Sequence, residues 1–225
     1  MTEHSTYTQG YITACDETLA KYTAPAWFVS FFETYREGLI NSSVDKSNGN
    51  RNFLTNAFAD ALQYLLPAKG LEVFTNKKGK KDTDNFFKRE NSFKELIEQK
   101  EGDEFYDFLS RKRMDFFLRN NNGKILIIEF KNTANFDTIS SAATEMKLLR
   151  DFLRKDLQAQ VTTWSISMFC GQSPDSLDLL NKHLDKPIDK IWTFRKWDSD
   201  RKFETPFDVK KFIELRTALI NFSKS

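Results

Sequence analysis

The stretch Lys124-Ile-Leu-Ile-Ile-Glu-Phe-Lys131 constrains this chain more than any other. Its apolar side chains alternate onto both faces, Ile125 and Ile127 on one and Leu126, Ile128 and Phe130 on the other. Successive side chains of a strand leave on opposite sides, so a strand of this kind must be covered above and below. The run therefore belongs inside a sheet. Its last residues include Glu129 and Lys131, two charges that share one face. Charges so placed need partners or a task, because burying an unpaired ion is costly.

Met114-Asp-Phe-Phe-Leu118 precedes the run, and Asn120-Asn-Asn-Gly123 separates the two, which predicts a β-hairpin. Before the hairpin the chain reads mainly as helix. Ala26 to Leu39 places Trp27, Phe28, Phe31, Phe32 and Tyr35 at helical spacing just after Pro25, and Asn41 to Asn50 is a polar loop. Phe53 to Leu66 reads as a second helix stopped by Pro67, and Leu71 to Thr75 as a short strand. A lysine-dense turn at Asn76 to Lys81 leads to a charged amphipathic helix over Phe87 to Glu101. After the hairpin come a helix from Thr138 to Leu157, a strand from Val161 to Phe169 and a helix from Asp175 to Leu184. A strand from Lys190 to Arg195 and a final helix opened by Pro206 complete the order. That sequence of elements describes an α/β sandwich, a mixed sheet covered by helices.

Composition supplies bounds. With 225 residues, 40% hydrophobic and 29% charged, the chain can build a good-sized core. The net charge of +2 neither announces nor excludes a polyanionic partner. Cys15 and Cys170 form no CxxC pair and fit a reducing compartment, and no cysteine set for an iron–sulfur cluster exists. His4 and His183 lie far from any serine or cysteine that could complete a nucleophilic triad, and they are too few for a histidine metal site. There is no P-loop of the GxxxxGK[ST] type, no signal-peptide pattern and no run approaching ~20 apolar residues. These features predict a cytoplasmic protein without a membrane partner.

The chemical signal is Asp115, then Glu129 and Lys131 after a fixed interval. Spacing alone is weak. Asp84, Glu98 and Lys100 repeat it, fourteen positions and then two, and Glu145 with Lys147 gives Glu-x-Lys again. Local structure separates them. On a helix, residues two apart diverge by about 200°, whereas on a strand they share a face. Only Glu129 and Lys131 close a strand-like run. A loop over Asn120 to Lys124 would place Asp115 opposite Glu129, about 5 Å apart at Cβ. Two carboxylates that close repel each other, and a hard divalent cation removes the conflict, Mg²⁺ first with Mn²⁺ able to substitute.

Arg113-Met-Asp-Phe-Phe-Leu, the Asn/Gly turn and Ile128-Glu-Phe-Lys131 resemble the PD-(D/E)xK nuclease superfamily, with Met114 in place of the family's proline. The resemblance covers roughly Met114 to Phe169. It implies a restriction-endonuclease-like mixed central β-sheet flanked by helices, here with a helical N-terminal embellishment. It implies that Asp115, Glu129 and the carbonyl of Phe130 are metal ligands and that Lys131 positions or helps deprotonate the attacking water. Residues 1–225 would form a single nuclease domain: 1–105 for DNA recognition and dimerisation, 106–225 for catalysis. Among the superfamily's trades, a free-standing chain with about 110 residues before the motif looks most like a type II restriction endonuclease. By that resemblance it would be a homodimer cutting double-stranded DNA at a short palindromic site, leaving 5′-phosphate and 3′-hydroxyl ends. The other readings are a repair, resolvase or transposon-end nuclease, and a non-catalytic DNA-binding subunit of the same fold.

Further candidates each have a plain counterpart. Asp60, with Asn56 one turn before it, is an additional acidic ligand or a solvated helix face. Glu145 is an active-site neighbour or a surface charge. Lys77, Lys78, Lys80 and Lys81, and Arg111, Lys112 and Arg113, are phosphate contacts or solvated turns. Thr163, Ser165 and Ser167 present hydroxyls to DNA or form the wet face of an outer strand.

Overall fold

The computed structural model describes residues 6–22, 26–41, 57, 71–75, 115–156, 158–170, 172–196 and 207–225. Five strands form one sheet: β1 (Leu71–Thr75), β2 (Phe116–Asn120), β3 (Ile125–Ala134), β4 (Val161–Cys170) and β5 (Lys190–Lys196). They lie side by side in chain order, so β3 is central. β1, β2 and β3 pair antiparallel, and β3, β4 and β5 pair parallel. The described helices are α1 (Thr6–Lys21), α2 (Ala26–Asn41), α3 (Phe136–Asp156), α4 (Pro174–His183) and α5 (Val209–Lys224). Parallel neighbours cannot be joined by a tight turn, and α3 and α4 are the crossovers that the two parallel pairs require. The protein is thus an α/β structure with a mixed sheet flanked by helices.

Alternation along the strands divides the interior into two layers. Phe116, Leu118, Leu126, Ile128 and Phe130 face α2 and α5, where Phe28, Phe31, Phe32 and Phe212 form an aromatic cluster. Phe117, Ile125 and Ile127 face α3 and α4 through Ile139, Ala142, Met146 and Leu177. The β3 side chains Ile125, Leu126, Ile127, Ile128 and Phe130 are each 5% exposed or less. Each contributes roughly 1.5–3 kcal/mol on burial. That burial offsets part of the several kcal/mol that each buried ion costs, so a central strand can carry a charged pair that an edge strand of this length could not.

The hairpin turn sets the register. Gly123 N–H donates to the Asn120 carbonyl at 2.9 Å and Asn120 N–H to the Lys124 carbonyl at 3.1 Å. Gly123 has φ +76°, while Asn121 and Asn122 do not have positive φ. The turn is therefore the longer type closed by a left-handed glycine, not a two-residue type I′ turn. Asn120 Oδ1 accepts from the backbone N–H groups of Asn122 and Lys124, both at 3.0 Å. Its Nδ2 donates to the Phe222 carbonyl in the last turn of α5 at 3.0 Å, which ties the hairpin to that helix.

Several element boundaries differ from those expected, and capping explains the differences. α3 begins at Phe136, not Thr138, because Asn135 and Thr138 cap reciprocally. Asn135 Oδ1 accepts the Thr138 N–H at 2.8 Å, and Thr138 Oγ1 accepts the Asn135 N–H at 2.9 Å. α5 begins at Val209, not Pro206, because Asp208 Oδ1 accepts the Lys211 N–H at 2.9 Å. α4 starts at Pro174, one residue early, behind the N-cap Ser173. α1 was not singled out by the sequence pattern. It carries Gly10 and several threonines, poor helix formers, but Thr13 and Thr18 bond back to the Gln9 and Ala14 carbonyls. Ala57 is helical and buried; the rest of the expected Phe53–Leu66 helix, the Asn41–Asn50 loop beyond Asn41 and the Phe87–Glu101 helix lie outside the described residues.

Candidate active site

β2 and β3 pair Phe116 with Ile128, Phe117 with Ile127 and Leu118 with Leu126. The ladder ends at Phe116, and Asp115, the bend residue just before β2, meets β3 through its side chain instead. Asp115 Oδ2 accepts the backbone N–H of Phe130 at 2.8 Å. The carboxylate is thereby held across the strand boundary, beside the residue that follows Glu129. On β3, Lys131 Nζ donates to Glu129 Oε1 at 2.6 Å, as two residues on one face of a strand allow. Parity along β3 puts Glu129 and Lys131 on the face covered by α3.

Burial tunes the pair. Glu129 is only 7% exposed, and burial raises its pKa above the ordinary carboxylate value. The charge and hydrogen bond of Lys131 oppose that rise, Glu145 adds to it, and a backbone hydrogen bond from Asp115 opposes it. For Lys131, burial pulls the pKa down but is outweighed by the charge and hydrogen bond of Glu129, then by the charges of Asp115 and Glu145, so its pKa is raised. Lys131 is consequently a held ammonium, not a free base.

Glu145 lies on α3, half-buried, and its charge reaches both Glu129 and Lys131. Lys147, two residues on, turns away and donates to Asp185 Oδ2 at 2.7 Å. The second Glu-x-Lys therefore diverges on its helix. The other decoy, with Asp84, Glu98 and Lys100, lies outside the described residues, as do Asp60, Asn56, Lys77, Lys78, Lys80, Lys81, Arg111, Lys112 and Arg113.

The site's oxygens suit a hard cation. Asp115 and Glu129 supply two carboxylates, and Glu129 Oε2 is buried with no hydrogen-bond partner among the described residues. No group of three or more His, Cys, Asp or Glu side chains is gathered to hold a metal ion among the described residues. Mg²⁺ does not require one, since it is commonly held by one or two carboxylates and keeps several waters. The donor set fits Mg²⁺ and gives no purchase to soft metals.

The sequence reading of β4 needs correction. Thr163, Ser165 and Ser167 form neither a DNA-facing surface nor the wet face of an outer strand. β4 is an inner strand, and all three residues are 0% exposed. Alternation of hydroxyl and apolar side chains looks the same whether the hydroxyl face meets water or a helix. Cys15 and Cys170 are buried and not joined in a disulfide, and His183 ends α4 exposed. No helix among the described residues is long and apolar enough to cross a membrane.

The class defined so far is an α/β protein whose central hairpin carries a carboxylate pair and a paired ammonium. The chain matches no protein-family model, no curated protein and no solved structure.

Proposed function

We propose that this chain is a Mg²⁺-dependent DNA nuclease of the PD-(D/E)xK type, acting as a type II restriction endonuclease. The observation that carries the reading is that Asp115 is locked to the Phe130 N–H, beside Glu129, while Lys131 bonds Glu129 on the same strand. Nothing about holding a sheet together calls for that gathering. The charge of Glu145 pushes the Glu129 pKa up further, as like charges do when brought together without a cation.

Asp115 and Glu129 would hold the ion, with the Phe130 carbonyl as the further ligand that the family resemblance implies. Held there, an ion would supply charge neutralisation at the phosphate and acidify a water. The chain's own residues do the rest. The Phe130 N–H fixes the direction of the Asp115 carboxylate. Lys131 would offer its ammonium to a phosphate oxygen on which charge develops. Its bond to Glu129 keeps that ammonium oriented before substrate arrives, so little reorganisation is needed during the reaction. Glu145 extends the negative surface from α3.

Incubating the purified protein with plasmid and phage DNA in Mg²⁺ or EDTA tests the reading. Discrete metal-dependent fragments indicate restriction, and a smear indicates a nuclease without site preference. No cleavage of any substrate, or cleavage undiminished by Lys131→Ala, would remove the assignment. Light scattering coupled to size exclusion decides the homodimer.

A further inference from the structure

β4 lies parallel to β3 with Glu129 beside Ser165 and Lys131 beside Ser167. The three buried oxygens Glu129 Oε2, Ser165 Oγ and Ser167 Oγ have no hydrogen-bond partner among the described residues. They belong to adjoining register positions on one face of the sheet. Thr163, one step earlier on that face, shows the contrast. Its Oγ1 donates to the Pro187 carbonyl at 2.7 Å and lies 3.1 Å from Asp189 Oδ2. A buried hydroxyl of β4 is thus satisfied where protein acceptors are at hand, and the two beside the carboxylate are left over.

Native interiors rarely leave such groups unsatisfied, and three together require an explanation. The chemistry of the three atoms gives one. A carboxylate oxygen only accepts, while a serine hydroxyl both donates and accepts. A buried water needs two to four polar partners, and these atoms supply three. The covering helix brings the small side chains Ala142 and Ala143 into the same layer, so no bulky group from these positions competes for the space.

We infer that Ser165 and Ser167 are positioning residues for Glu129. They form a hydroxyl ledge that, with a bridging water, holds one lone pair of Oε2 while Lys131 holds Oε1, and the second lone pair of Oε2 stays open to a cation. Pinned at both oxygens, the carboxylate has one orientation in which to meet a cation. The placement of the ledge follows from the fold; its effect on a metal rests on the nuclease reading.

The test uses the full chain, with Mn²⁺ binding followed by the electron paramagnetic resonance of the free ion. Ser165→Ala and the double variant Ser165→Ala/Ser167→Ala are expected to weaken Mn²⁺ binding about 10-fold or more, the usual effect of removing an outer partner of a ligand. The kcat for DNA cleavage falls with them while KM for DNA stays, and Ser165→Thr, which keeps the hydroxyl, restores most of both. Circular dichroism and thermal melting show the fold unchanged. If the parent protein binds Mn²⁺ and both serine variants bind it equally well, the ledge is overturned and the nuclease reading stands. If the parent protein binds no Mn²⁺, the metal reading falls, and a high-resolution crystal structure decides the ledge. A water within about 3 Å of Glu129 Oε2 and of a serine Oγ supports it. A carboxylate oxygen without that water overturns it.

Discussion

Lys131 and Asp115 can be separated by substitution because each meets β3 differently. Lys131→Ala removes the ammonium and leaves the buried Glu129 carboxylate unpaired, so stability should fall by about 3 kcal/mol while kcat falls roughly 10²–10³-fold, the usual loss for one group that stabilises transition-state charge. Single-turnover cleavage checks it. Asp115→Asn keeps an oxygen to accept the Phe130 N–H, so the strand boundary holds while metal-dependent cleavage is lost. Cys15 gives a prediction outside the site. Burial, then the charge of Asp16, pushes its thiol pKa from 9.0 up to about 12. A folded pKa above the unfolded one means that this contribution to stability is complete below pH 9 and disappears as pH rises toward 12. Melting curves across that range should fall more steeply for the parent protein than for Cys15→Ala. A thiol reagent at pH 8 should label Cys15 only after unfolding, since the thiolate is the reactive form.

At the scale of elements, the hairpin turn is where register can be lost. An added Cβ at Gly123 meets nothing within 4 Å, so the cost of Gly123→Ala lies in its φ of +76° alone. That substitution should lower stability by about 1 kcal/mol, and Gly123→Asn by less, as read from urea midpoints. Asn120→Ala strips two backbone donors of their acceptor and removes the amide bond to the Phe222 carbonyl that ties the hairpin to α5. It should cost about 1–2 kcal/mol. The same hairpin was the most legible part of the sequence, because two-sided apolar alternation and an Asn/Gly turn act over short range and leave few registers. Lys147 and Glu145 were legible too, since helical geometry alone separates them. What the sequence did not disclose depends on distant partners. The buried state of Ser165 and Ser167 comes from α3 lying over β4, and the start of α5 from the Asp208 side chain folding back on its own helix.

For the molecule as a whole, a ligand that binds only the folded state stabilises all of it. At 100-fold excess over its dissociation constant, Mg²⁺ should add about 2.7 kcal/mol. For a chain of 225 residues that is an increase in Tm of roughly 5–10 °C. Differential scanning fluorimetry should show it for the parent protein and not for Asp115→Asn. The sheet's connectivity has one further consequence. β1 and β2 are hydrogen-bonded neighbours, and Thr75 pairs directly with Phe116. Phe116 pairs with Ile128 on its other side, so the first residue of β2 is clamped between two strands. Asp115 thus leaves the sheet from an anchorage that neither neighbour alone provides, and loosening β1 would be felt at the carboxylate before it reached the far end of the hairpin.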